Sequence, residues 1–361
     1  MVQERLAASY VLPLRWTSPG PAEELTGYLR ELSAPVEVIV VDGSPGPLFA
    51  EHHRLWGSFS LHLPPDPDLR FLYGKVNGVL TGVRRATHDA VVVADDDVRY
   101  TRAELERLVA GLATADLVRP QNYFSPLPWH ARWDTARSLV NRALGGDFPG
   151  TLGVRRSTVL AMGGYDGDVL FENLEIMRTI EAFGGTVADD PGCLVRRLPP
   201  TTPHFWGQRV RQAYDELARP ARMVTSLALL PLTTWLVARR RFGALAAGIG
   251  ATVMLAESGR RRAGGTRVFP ASCSLLAPVW VAERALCSWL ALGRRVQGGV
   301  PYAGVRLARA ATPVRRLRRR VPLRLPLAPA PPATLPPPPP SSAAAFVSGT
   351  GPASAQIGAT G

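Results

Sequence analysis

VVVADDDVRY, residues 91–100, is an apolar run that passes straight into three adjacent carboxylates. Strands covered on both faces read as continuous Val/Ile/Leu runs, and they normally hand over to Gly, Pro, Asn or Ser. Here Asp95, Asp96 and Asp97 stand in that place, although clustered carboxylates repel one another where water is scarce. One reading is a solvated strand end leading into a helix, because Thr101 followed by Glu104 has the spacing of a capping box. The other is a cation site. On an extended chain Asp95 and Asp97 leave the same face, and two carboxylates so placed suit Mg2+ or Mn2+, ions that complete their shell with substrate phosphates. Asp96 points the other way and is read as structural.

The segments on either side repeat an alternation of strand and helix signals. LAASYVLPLRW (6–16) reads as a first strand, and PAEELTGYLRELSA (21–34) as a helix with Leu25, Tyr28, Leu29 and Leu32 on one side. VEVIVVDGSPG (36–46) is a second buried strand ending at Asp42, and NGVLTGVRRATHD (77–89) a second helix. After the acidic strand end come a third helix, RAELERLVAGLATA (102–115), and a short strand, ADLVRP (115–120). This βαβ rhythm predicts an α/β fold with a doubly wound, mostly parallel sheet. Sites in such sheets lie beyond the carboxyl ends of the strands, where Asp42 and the Asp95 cluster fall.

Charge divides the chain. Residues 1–220 hold 23 Lys+Arg against 27 Asp+Glu, whereas residues 221–361 hold 19 against 2. The basic balance therefore belongs to the C-terminal part. Of the basic residues 41 are arginine and one is lysine, Lys75. It reads either as a solvated turn residue or as a compact point charge on a phosphate or ribose, where a guanidinium fork would not fit. Cys193, Cys273 and Cys287 have neither metal-type nor disulfide-framework spacing, which predicts a reducing compartment. MVQERLAASY does not read as a secretory signal, so the first 220 residues are expected to face the cytoplasm.

VEVIVVDGSP, GKVNGVLTGVRRATHDAVVVADDDV (74–98) and GGYDGDVLFENLEIMRTIEAFGG (163–185) together resemble the ordered blocks of family 2 glycosyltransferases of the GT-A type. The spacing K-x-N-x-x-L-x-G-x-x-x-A-x-x-D from Lys75 to Asp89 is similar to the ceramide glucosyltransferase-like branch. The resemblance covers about residues 6–215. It implies a nucleotide-sugar donor, most simply a UDP-sugar, contacted by Asp42 and Lys75, with Asp95 and Asp97 holding Mn2+ or Mg2+ on the diphosphate. Inverting members carry Glu-Asp before a helix, the Asp being the general base. Here the pair is Glu172-Asn173. An amide is not usefully basic, so Glu172 is the expected base, with Asp166 or Asp168, or a weakened enzyme, as the other readings. PHFWGQRVRQAYDE (203–216) resembles the (Q/R)xxRW block of lipid-acceptor members, with Gln208 and Arg211 in place near the diphosphate or acceptor and Gln212 where the Trp would stand.

From residue 221 the sequence is governed by apolar runs. MVTSLALLPLTTWLVA (223–238) and FGALAAGIGATVMLA (242–256) carry no charge, and a longer run (269–293) is interrupted by Glu283 and Arg284. These lengths are near the margin for crossing a bilayer, and the clusters Arg239–Arg241 and Arg260–Arg262 on both sides of the second run leave its orientation open. The expected organisation is a nucleotide-sugar domain (1–220), membrane-associated helices (221–293), and a tail (294–361) that is basic and then Pro-rich and disordered. The predicted function is transfer of a sugar to a lipid, polyprenyl-type or other membrane-bound acceptor. A non-catalytic nucleotide-sugar or lipid binding module is the competing class. Nucleic acid is not an expected partner, because the Arg-rich tail lacks interleaved aromatics and follows apolar segments.

Overall fold

The computed structural model describes residues 4–302 and 305–321. The N-terminal half runs β1 (Ala8–Leu14), α1 (Ala22–Leu32), β2 (Glu37–Asp42), α2 (Gly46–Trp56), β3 (Leu61–Leu63), α3 (Gly74–Arg85) and β4 (Ala90–Ala94). It continues through β5 (Val98–Arg99), α4 (Arg102–Gly111), β6 (Leu117–Phe124), α5 (Trp129–Ala143), β7 (Thr151–Arg155), α6 (Arg156–Ala161), α7 (Glu172–Phe183) and β8 (Val187–Arg197). These strands form one eight-stranded sheet in the order β3-β2-β1-β4-β7-β6-β8-β5. β1 to β4 are mutually parallel, as are β6 and β8, while β7 and β5 run against their neighbours.

Alternation along the parallel strands explains the two layers. Val11, Ile39, Val41, Val91 and Val93 pack on one face against Val76, Val79, Leu80 and Val83 of α3 and Leu174, Ile176 and Met177 of α7. Tyr10, Leu12, Val38, Val40, Val92 and Ala94 pack on the other against Leu25 and Leu29 of α1 and Leu105 and Leu108 of α4. Both faces of each strand are thus buried, which is why these runs are apolar without interruption. Helix α3 lies unusually close to β1. A Cβ at Gly82 would stand 2.2 Å from Val11 Cγ1, so only glycine permits this approach. Thr101 does form the expected capping box with Glu104 at the start of α4.

Asp95 to Asp97 do not continue the extended chain expected from the sequence. Asp95 N–H donates to Gly150 O at 2.8 Å and Val98 N–H to Asp95 O at 3.1 Å. The chain turns there and crosses to pair β5 with β8. The strand expected at 115–120 is longer, reaching Phe124.

A helical layer follows: α8 (Thr202–Tyr214), α9 (Pro220–Ala238), α10 (Phe242–Arg261), α11 (Ala271–Leu275) and α12 (Ala277–Val296). It is fastened to α5 through Ala136, Leu139 and Val140 against Ala256, Phe269, Cys273, Ala277 and Trp280. Pro220–Ala238 and Phe242–Arg267 are long and apolar enough to cross a membrane by length and composition. Between Met223 and Ala256 no residue is buried, and Leu232, Trp235, Phe242, Ile249 and Met254 are exposed. The two helices project as an apolar hairpin whose tip carries Arg239, Arg240 and Arg241. The chain then returns to the sheet domain. β9 (Val300–Tyr302) pairs antiparallel with β10 (Val305–Leu307), and α13 (Val314–Arg320) packs on α7. The first part of the basic block, expected to face lipid headgroups, is thereby folded against the protein. Leu170 and Phe171 donate their N–H groups to Arg309 O and Ala310 O at 2.9 and 2.8 Å. The Pro-rich segment expected to be disordered lies outside the described residues.

Candidate active site

The carboxyl end of β4, the N-terminus of α7, the end of β8 and helix α8 enclose a cavity of about 330 Å3. Lys75, Asp95, Asp97, Glu172, Gln208 and Arg211, six of the residues singled out from the sequence, all line it. Lys75 Nζ lies 2.6 Å from Asp95 Oδ1 and 2.9 Å from Glu172 Oε1. Burial opposes its charge, but Asp95 and Glu172 outweigh burial and hold the ammonium well above the usual lysine range. The lone lysine therefore ties the turn after β4 to the first residue of α7.

Arg197, at the end of β8, answers the other side of the acidic turn. Its Nε donates to Asp97 Oδ2 at 2.9 Å and its Nη2 reaches Asp95 Oδ2 at 3.4 Å. Asp96 faces away, as expected, and accepts from Trp16 Nε1 at 2.7 Å. Burial opposes ionisation of Asp95, yet Lys75 and Arg197 keep its carboxyl low. Asp97 is pushed up by burial and by Asp95, against the pull of Arg197. Its Oδ1 is buried with no hydrogen-bond partner. A buried carboxylate oxygen with nothing to accept from is costly, and a divalent cation beside Asp95 and Asp97 would satisfy it. The donor set fits such an ion.

Glu172 is held by Lys75 as described, and Asn173 donates its amide N–H to Pro149 O at 3.0 Å. Asp166 is engaged by Arg309 at 3.0 Å, and Asp168 accepts from Leu72 N–H at 2.9 Å. Neither lines the cavity. Arg211 donates to Tyr73 Oη at 2.6 Å and to Gln208 Oε1 at 3.2 Å. Tyr302 from β9 stacks on Tyr73 with ring centroids 4.6 Å apart.

Asp42 is placed differently from its companions. It does not line the cavity and is sealed beneath α2, with His52 Nδ1 at 2.6 Å and His62 Nε2 at 3.2 Å from Oδ2 and Ser44 N–H at 2.8 Å from Oδ1. Burial opposes its charge, and hydrogen bonds from His62, Ser44 and His52 overcome it, lowering the carboxyl to about 2. Asp42, His52 and His62 offer ligand atoms within 4.8 Å of one another. Hydrogen bonds among them already account for the carboxylate, so no ion is required there.

Arg197, Asp215, Arg219 and Arg284 also line the cavity, and the sequence did not mark them as site residues. Asp215 follows α8, has a buried Oδ1 without a partner, and is raised to about 7 by burial, Arg211 opposing. Arg219 opens α9, with its guanidinium 5.0 Å from the Phe148 ring centre and 5.8 Å from that of Phe171. Arg284 reaches the cavity from α12.

Acidic turn, lysine and arginine converge near the carboxyl end of β4. The fold is GT-A-like. The chain is similar to a mannosyltransferase from Pyrobaculum calidifontis in complex with GDP-Man and Mn2+, at 18% identity and a TM-score of 0.50, over 79% of this chain and 87% of that one. A looser likeness, with a TM-score of 0.38 and 15% identity over 55% of this chain and 72% of that chain, is to glucosyl-3-phosphoglycerate synthase from Mycobacterium tuberculosis in complex with Mn2+, UDP and phosphoglyceric acid. No family model and no curated protein sequence matches the chain.

Proposed function

We propose that the protein is a metal-dependent, inverting glycosyltransferase that moves a sugar from a nucleotide donor to an acceptor held at a membrane. The observation that carries this reading is the half-buried cluster of Lys75, Asp95, Asp97 and Arg197 at the strand ends of a GT-A-like sheet. Asp95 and Asp97 would hold Mn2+ or Mg2+, which supplies neutralisation of the leaving diphosphate. The mannosyltransferase of similar fold is described with Mn2+ and GDP-Man. A UDP-sugar remains the donor favoured by the sequence. Lys75 and Arg211 add fixed positive charge to the same cavity, and Gln208 orients Arg211. The ceramide glucosyltransferase-like spacing around Lys75 concerns the donor side and leaves the acceptor open.

The projecting hairpin supports the membrane assignment. Exposed apolar surface on this scale marks an interaction site, and charge is confined to its tip and base. Trp129 and Trp206, both exposed, with ring centres 6.2 Å apart and tilted at 45°, add the amphipathic rings that favour a bilayer interface. The sheet domain would then lie on the cytoplasmic side.

Titration of UDP and GDP with and without Mn2+ tests the core of the proposal. Both the metal requirement and its loss in Asp97→Asn are expected, with affinity falling at least tenfold. Equal binding in EDTA would remove the metal assignment. A non-catalytic binding module is favoured by one observation, the engagement of both Glu172 and Asn173 by protein groups. It predicts donor binding with neither hydrolysis nor transfer.

A further inference from the structure

One face of α8 carries more than the two residues that the sequence marked on it. Gln208, Arg211, Gln212 and Asp215 are spaced i, i+3, i+4, i+7 and all line the cavity. Gln208 and Arg211 are hydrogen-bonded to each other at 3.2 Å, and Arg211 also donates to Tyr73 Oη at 2.6 Å. The other two are unsatisfied. Gln212 Oε1 and Asp215 Oδ1 are both buried, and neither has a hydrogen-bond partner. The other orphaned carboxylate oxygens of the cavity have a neighbour or a use. Asp97 Oδ1 belongs to the candidate cation site, and Glu216 Oε2 lies 3.3 Å from Arg222. Buried acceptors without donors are costly. Two of them one helical turn apart form a site for a ligand that brings O–H groups.

Asp215 stands at the end of α8, still in helical backbone geometry. The charged groups acting on it are Arg211 of the same helix, Glu172 of α7, Arg284 of α12 and its neighbour Glu216. Arg211, the strongest of these, has its guanidinium engaged by Tyr73 and Gln208. The charge of Arg211 also acts on Asp95, so one cation is shared by the acidic turn and Asp215. Glu172, by contrast, is tied to Lys75 at 2.9 Å, and the Asn173 amide is not basic.

Resting on the glycosyltransferase reading, we infer that the acceptor nucleophile is a hydroxyl group bound beside Gln212 and that Asp215 is the general base that takes its proton. The hydroxyl proton passes to Asp215 Oδ1, and the acceptor oxygen uses a lone pair to bond to the anomeric carbon. The bond from that carbon to the nucleoside diphosphate breaks, and its electron pair leaves with the diphosphate. Asp215 ends the step protonated and returns its proton to solvent. The departures at positions 173 and 212 then belong together. The base stands at the end of α8 instead of the start of α7, and a glutamine in place of the bulkier tryptophan leaves space and an acceptor oxygen beside it.

The test uses the full chain in maltoside micelles with Mn2+ and reads hydrolysis of a panel of UDP- and GDP-sugars, water serving as the hydroxyl. Positioned proton transfer contributes about a hundredfold to ten-thousandfold. Asp215→Asn should therefore lower kcat at least a hundredfold while UDP and GDP affinities stay within threefold. Wild-type kcat should rise with pH up to about 7 and then level off, as the carboxylate form is the active one. The residual rate of Asp215→Asn should lack that rise. Sodium formate, a free carboxylate, should restore part of the rate in Asp215→Ala. Burial opposes the charged form of Asp215, so Asp215→Asn should melt no lower than the wild type at pH 8. A lower melting temperature, with no formate rescue in Asp215→Ala, would reduce Asp215 to a structural role. Wild-type kcat in Asp215→Asn, a pH-independent wild-type kcat, or a hundredfold loss confined to Glu172→Gln overturns the assignment and leaves the transferase reading standing. Nucleotide binding without turnover of any donor by the wild type would sink the transferase reading itself, and the base with it.

Discussion

Lys75 holds two carboxylates from separate elements at 2.6 and 2.9 Å, a geometry that a compact ammonium can meet and a planar fork cannot. Lys75→Arg keeps the charge, yet nucleotide affinity in Mn2+ should fall about tenfold, because the longer side chain must displace Asp95 or Glu172. Unchanged affinity would make Lys75 a structural strut alone. Asp42 gives a prediction of the opposite kind, on stability. Its carboxyl is lowered from 3.8 to about 2, which corresponds to roughly 2 kcal/mol. A depressed carboxyl contributes above its unfolded value and loses that contribution as pH falls through the folded one. Asp42→Asn should therefore be less stable than the wild type at pH 7, and thermal unfolding should show the difference shrinking from pH 4 towards pH 2. These residues also show how far the sequence reaches. Lys75, Asp95 and Asp97 were legible because each stands at the end of a strongly patterned strand or helix. The sealing of Asp42 was not, since His52 comes from α2 and His62 from the three-residue strand β3, and only the tertiary fold brings them to it. Arg219 and Arg284 enter the cavity only through the packing of distant helices, and no local pattern marks them.

Among the elements, the α9–α10 hairpin was announced by its charge-free runs, and the structure adds that almost nothing covers it. Leu232, Trp235 and Ile249 are 50%, 52% and 48% exposed. The protein should stay in the membrane pellet through a high-salt wash, because salt screens charge but leaves apolar contact in place. Leu232, Trp235 and Ile249 changed together to Glu should shift the chain to the supernatant while nucleotide binding persists. Release of the wild type by salt alone would assign its attachment to arginines. Strands β7 and β8 were less legible. β8 carries Pro191 and Gly192 within VADDPGCLVRR and has a register irregularity opposite Arg119 and Gln121. Such a stretch reads as loop until its partner strand is known.

At the scale of the whole molecule, the doubly wound sheet followed from the order of apolar runs, and the acidic strand end pointed to the edge where the cavity lies. What the runs could not show is that the chain comes back. After the hairpin and α12, residues 308–312 pass along the segment before α7 and its first turn, where Thr312 N–H donates to Glu175 Oε2 at 2.6 Å across 137 positions of sequence. Tyr214 Oη likewise donates to Ala308 O at 2.7 Å. Contacts this distant in sequence close late, because loop-closure entropy must be overcome before they form. The ribosome delivers the apolar hairpin before it delivers these residues. On the membrane reading proposed above, the hairpin has the opportunity to enter a bilayer while the wall that carries Glu172 is still unfinished, and the pocket would be completed on a chain already anchored.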